Sequence, residues 1–186
     1  MDRPIFENTW DALRFSFYME CVPAASVSPT LIAIKTLMKS SGKVFDRVES
    51  RIHMEGLTPL EVRMQCAMVR SAVTNHLLEV EKHAIWACHG VDETQSKGVK
   101  GIASYIQDST VNKGECLEWI VAAVYSKAVS IREIAKKYEV SKSSVAQDMG
   151  RAKAVIDSIE KIACQRLETL FKENGLIIGE SCLLCN

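Results

Sequence analysis

The stretch from Ser130 to Ile156 constrains this chain more than any other: two helical patterns, SIREIAKKY and SKSSVAQDMGRAKAVI, are separated by only Glu139 and Val140. Ser130 can accept from the amide three residues on, and Glu133 can reach back to the Ser130 amide, the reciprocal pair that starts a helix. Ile131, Ile134, Ala135 and Tyr138 fall on the inward side of the first pattern. Val145, Met149, Ala152 and Ile156 do so in the second. Two helices meeting over a short turn need a small side chain where they touch and aliphatic side chains to wedge the turn. Ala135, Val140 and Val145 supply both at equal spacing. Glu139 occupies the turn position where glycine is usual, and a left-handed backbone costs more there for glutamate. Leu117, Ile120, Val121, Val124 and Tyr125 form an apolar stripe that places a third helix just ahead. A helix-turn-helix unit within Leu117 to Phe171 is therefore predicted.

If the second helix of such a unit enters a major groove, its N-terminal exposed side chains read base edges and flanking cations hold phosphates. The set predicted to be exposed is Lys142, Ser143, Ser144, Gln147, Asp148 and Arg151. Gln147 suits adenine, Arg151 or Lys142 suits guanine, and Ser143 or Ser144 suits a base or a phosphate. Lys136, Lys137 and Lys153 are predicted backbone contacts, and Asp148 either orients a basic neighbour or accepts from cytosine. The chain as a whole is balanced, with 23 Lys+Arg against 23 Asp+Glu. Lys127 to Lys172 is not: it carries ten basic residues against six acidic ones. The competing reading of this segment is a plain three-helix bundle with a solvated basic face.

The run REIAKKYEVSKSSVAQDMGRAKAVID resembles the helix-turn-helix of sigma factor region 4, in which a serine caps the recognition helix and an Arg-Ala pair follows. Ser141 and Arg151-Ala152 stand at those places. With a helical region of this size ahead of it, the chain more particularly resembles the Q-type late-gene antitermination proteins of phages. That resemblance implies a protein of the bacterial host cytoplasm that binds double-stranded DNA near a promoter. It also implies that the protein engages RNA polymerase and its sigma factor and lets the enzyme read through terminators. The rivals are a dimeric helix-turn-helix repressor or activator acting at initiation, and a helical interaction protein that binds no DNA.

The predicted class is all-α: a helical bundle in 1–95 for partner contact or homodimer formation, a helix-turn-helix domain in 101–175, and a flexible tail in 176–186. Phe6, Trp10, Leu13 and Phe17 share one helical stripe, and Ser28-Pro29 starts a pattern through Leu31, Ile34, Leu37 and Met38. Thr58, Pro59 and Glu61 form a capping box. In the helix that follows, Leu60, Met64, Ala67, Met68, Ser71 and Ala72 are predicted to line the buried face, widened by Val62, Cys66, Val69 and Val73. Glu79 to His89 reads as a helix stopped by a left-handed Gly90, and the polar stretch Val91 to Lys100 as a linker.

Seven cysteines without framework spacing suit a reducing compartment, and Cys66, Cys116 and Cys164 read as core residues. Cys182 and Cys185 make half of a zinc site at most, and neither Cys88 with His89 nor His76 with His83 completes it at a known spacing. No metal or cofactor is predicted. No nucleophile elbow, phosphate loop or dinucleotide fingerprint surrounds any histidine, so no enzyme is predicted either. Met1-Asp2-Arg3-Pro4 does not open a signal peptide, and no apolar run is long enough for a membrane span.

Overall fold

The computed structural model describes residues 6–22, 57–126 and 129–178. Among them stand seven α-helices: α1 (Thr9–Tyr18), α2 (Pro59–His76), α3 (Glu79–His89), α4 (Asp92–Ile106), α5 (Gly114–Tyr125), α6 (Ile131–Lys137) and α7 (Lys142–Glu173). A 3-10 turn, Gln107–Ser109, follows α4. The described residues contain no strand beyond an isolated bridge between Phe6 and Ile177, so the fold is all-α. No helix among them is long and apolar enough to cross a membrane. The helix predicted over Leu31 to Met38 and the pair Cys182 and Cys185 lie outside the described residues.

Two compact units make up the chain, one from Met1–Leu77 with Cys164–Asn186 and the other from Leu78–Ala163. In the first, Asn8 caps α1 by accepting from the Asp11 amide at 2.9 Å. Phe6, Leu13 and Phe17 are buried, Trp10 is half-buried, and the Phe6 ring meets Phe15 at 5.9 Å between centroids. Thr58 and Glu61 form the predicted capping box at the start of α2.

The face that α2 buries is only one side of the predicted broad apolar face. Val62, Cys66, Val69, Ala72 and Val73 are inside, while Leu60, Met64 and Met68 remain 67%, 58% and 48% exposed. The rotation is fixed by Arg63 and Arg70, which flank the buried stripe and donate to the carbonyls of Val22 at 2.8 Å and Ser16 at 2.6 Å. Burial pushes the Cys66 thiol up to about 11, which suits a core residue and not a nucleophile. At the far end of α7, Gly175 turns with φ 65, and the Ile178 amide then donates to the Phe6 carbonyl at 3.0 Å.

In the Leu78–Ala163 unit, α3 and α4 form a closely packed pair. The polar stretch from Val91 to Lys100 is thus not a linker but the first part of α4. Its polarity belongs to the solvent side of an amphipathic helix, with Glu93, Gln95, Ser96, Lys97 and Lys100 outward and Gly98, Ile102, Ala103 and Ile106 inward. A Cβ at position 98 would fall inside the backbone of His83 to Ala87, so only glycine permits this approach of α4 to α3. Gly90 is likewise not left-handed, with φ −63. Its place is dictated by space, because a Cβ there would strike the Trp86 carbonyl and the Gln95 amide.

One apolar core joins these helices to the rest of the unit. Ala84 from α3, Ile102, Ala103 and Ile106 from α4, and Cys116, Leu117, Ile120 and Val121 from α5 pack with Ile134, Ala135, Val145, Ala152, Ile156 and Ile159. The segment α6 to α7 therefore shares its core with α4 and also with α3, which lies outside the expected 101–175 domain.

Candidate nucleic-acid interface

The turn between α6 and α7 is built from its ends inward. Ser130 Oγ accepts from the Glu133 amide at 3.3 Å, and Glu133 accepts from the Ser130 amide at 2.7 Å. After α6 the Tyr138 amide donates to the Ile134 carbonyl and the Val140 amide to the Ala135 carbonyl, both at 3.1 Å. Glu139 sits between them with φ 55. This is the closure of a helix by a left-handed residue, and a side chain there costs about 1 kcal/mol or more relative to glycine. Ser141 then caps α7 by accepting from the Ser144 amide at 3.1 Å.

Ala135 and Val145 are both buried, and Val140 is half-buried between the helices. Replacing Ala135 by leucine is expected to overpack this contact by about 1 to 3 kcal/mol. Thermal melting of the full chain, with hydrogen exchange to localise the loss to α6 and α7, checks this. An unchanged melting temperature would show that there is room beside Ala135.

The residues predicted from sequence divide into two groups. Lys142, Ser143 and Gln147 are exposed at the start of α7, as are Lys136 on α6 and Lys153 two turns further along α7. Lys136, Lys142, Gln147 and Lys153 have no side-chain partner among the described residues, and Ser143 meets only Ser141 at 3.1 Å. They are free to meet a ligand.

The second group is already engaged. Asp148, predicted to be exposed, is fully buried. Its carboxylate accepts from the Val111 amide at 3.0 Å, and from the Asn112 amide at 2.7 Å and side chain at 2.8 Å. Ser144 Oγ accepts from the Asn112 side chain at 2.8 Å, and Arg151 donates to the Ser109 carbonyl at 3.1 Å and lies 3.5 Å from Asp148. Burial pushes the Asp148 carboxyl up, but the Asn112 and Val111 amides, the Asn112 side chain and Arg151 outweigh it and hold the group below its usual value. Ser144, Asp148 and Arg151 thus form one stripe of α7 that anchors the loop from Ser109 to Asn112. Asp148 does orient a basic neighbour, but it does not face a base.

Lys137 is also occupied. Its ammonium lies 3.7 Å from the centre of the Trp119 ring and 3.5 Å from Glu115, a cation–π and ion-pair seat that fixes α6 against α5. Trp119, Glu115 and Asn112 were not singled out from sequence. Asn112 carried the one usable signal, a polar residue just ahead of a helix start.

Burial also changes the charge seen by solvent. Of the six acidic residues between Lys127 and Lys172, Asp148 and Glu160 are buried. Burial pushes the Glu160 carboxyl up to about 7, against the hydrogen bond from Tyr125, so it is only partly ionised near neutral pH.

Among the described residues no three His, Cys, Asp or Glu side chains come together as metal ligands. No protein-family model matches the chain, and comparison with curated proteins gives no significant match.

Proposed function

We propose that the Leu78–Ala163 unit binds double-stranded DNA, with the first turns of α7 in the major groove, and that the protein regulates transcription. One observation carries this reading: the turn at Glu139 holds α7 against α6 so that Lys142, Ser143 and Gln147 project together into solvent from a capped helix start, Lys142 and Gln147 without a side-chain partner and Ser143 meeting only Ser141. A plain bundle has no need of a left-handed glutamate to set the exit angle of a helix, nor of an exposed polar cluster at that end. An α-helix with its side chains is about 10 to 12 Å across and fits a major groove about 12 Å wide. Gln147 is the side chain best placed for bidentate reading of an adenine, and Lys136, Lys142 and Lys153 are the free cations for phosphates.

The role in antitermination, and the engagement of polymerase, follow from the resemblance to Q-type proteins alone. In vitro transcription with bacterial RNA polymerase on a template bearing a terminator tests them: readthrough supports the role, and an effect confined to initiation replaces it with a repressor or activator.

DNA binding is tested by fluorescence anisotropy on a selected duplex and on random duplex across a range of salt. Gln147→Ala is expected to cost about 1 to 3 kcal/mol on the selected site and to relax preference at one base pair. Equal weakening on both duplexes would make Gln147 a phosphate contact. A wild-type chain with no salt-sensitive retention of any duplex would end the proposal.

A further inference from the structure

The loop 107–113 is bound to the recognition helix more tightly than a connector between two helices requires. Val111 and Asn112 give their amides to Asp148, Asn112 adds its side chain to Asp148 and Ser144, and Ser109 takes Arg151. Thr110 is buried and donates to backbone carbonyls, including that of Asn112 at 3.2 Å. Yet Val111, fixed in this network, is 62% exposed, and Lys113 is exposed as well, its ammonium donating to the Gln107 carbonyl at the start of the same loop. A rigid loop that points an aliphatic and a cationic side chain at solvent is arranged to meet something.

Its position says what. Ser144, Asp148 and Arg151 are one stripe along α7, and Gln147 lies next to that stripe on the solvent side. The loop therefore borders the Gln147 edge of the helix. A helix seated in the major groove nearly fills its width, so whatever borders the helix edge meets the sugar–phosphate wall and not the base edges. Building on the DNA-binding reading above, we propose that loop 107–113 is a second DNA-contacting element. Lys113 pairs with a phosphate, and Val111 packs on the adjacent deoxyribose. Asp148 is the positioning residue that couples this backbone contact to the register of Gln147.

The test measures binding of the full-length chain to selected and random duplexes across salt. Lys113→Ala is expected to lower the slope of log affinity against log salt by about one. Val111→Glu, which sets a carboxylate against the phosphate wall, is expected to weaken both duplexes alike by about fivefold at low salt. Both side chains are exposed, so unchanged melting temperatures would show the fold intact, and circular dichroism confirms this for each variant. Wild-type-like binding by both variants, while Gln147→Ala is impaired, would overturn the loop contact and leave the DNA-binding reading standing. Loss on the selected duplex only would make Val111 a base contact and overturn the backbone assignment. A wild-type chain that binds no duplex overturns both.

Discussion

Asp148→Ala is expected to be among the most damaging single substitutions in the Leu78–Ala163 unit, at about 3 to 5 kcal/mol. The carboxylate is fully buried and is the acceptor for two amides and one side-chain amide, with Arg151 at its edge. Alanine leaves these donors facing a cavity that cannot hydrate them fully, and each buried unsatisfied donor costs about 1 to 3 kcal/mol. For a unit of this size the melting temperature should fall by roughly 15 °C or more. Calorimetry measures it, and a drop below about 3 °C would mean the loop finds other acceptors. Asn112→Ala should cost less. The double variant should cost well under the sum of the two, because they break the same network.

The same group gives an acid dependence of known sign. Its folded carboxyl is held below the ordinary value, so its stabilising contribution is complete above about pH 4 and is lost as pH falls through the folded value. Asp148→Asn, already weakened at neutral pH, should lose less additional stability on acidification than the wild type.

Where the chain is cut should matter even more. A fragment spanning Leu78–Ala163 is expected to unfold cooperatively, and one beginning at Gly101 is expected to be molten. The later start removes α3 and most of α4, taking Ala84 and the Gly98 contact with them and opening the core around Ile102, Leu117 and Ile120 to water. At about 25 cal/mol for each Å² of apolar surface exposed, losing a helix from a core of this size is comparable to the whole stability of a small domain. Near-ultraviolet dichroism and dye binding distinguish the two states. A well-packed fragment from Gly101 would show that α5, α6 and the first turns of α7 hold a core of their own.

Much of this fold is written locally. The capping boxes at Thr58 and Ser130 and the left-handed Glu139 depend on neighbours three to five residues away, and such signals survive in a single sequence. The solvent face of α7 was legible for the same reason at Lys142, Ser143 and Gln147. What escaped were features set by partners far along the chain. Asp148 reads as surface on any helical wheel until Val111 and Asn112 arrive with three donors. Polar residues at 91–100 read as a linker because Gly98 gives no hydrophobic signal, although its lack of a side chain is what allows α4 to pack. On α2 the apolar residues run around most of the helix, so periodicity left the buried arc undetermined until Arg63 and Arg70 fixed it.

The backbone pairing of Phe6 with Leu176 and Ile178 has a consequence for biosynthesis. One unit is assembled from both ends of the chain, while the other, Leu78–Ala163, is a continuous insert. A ribosome delivers the insert whole before it delivers the residues that complete its host. Domains fold as they emerge, so the central unit can reach its native state while α1 and α2 still await the last turns of α7. Nascent α1 and α2 must spend that interval with Phe6, Leu13 and Phe17 incompletely covered. A pause or truncation late in synthesis would thus release a chain with a finished Leu78–Ala163 unit and an open, aggregation-prone α1 and α2.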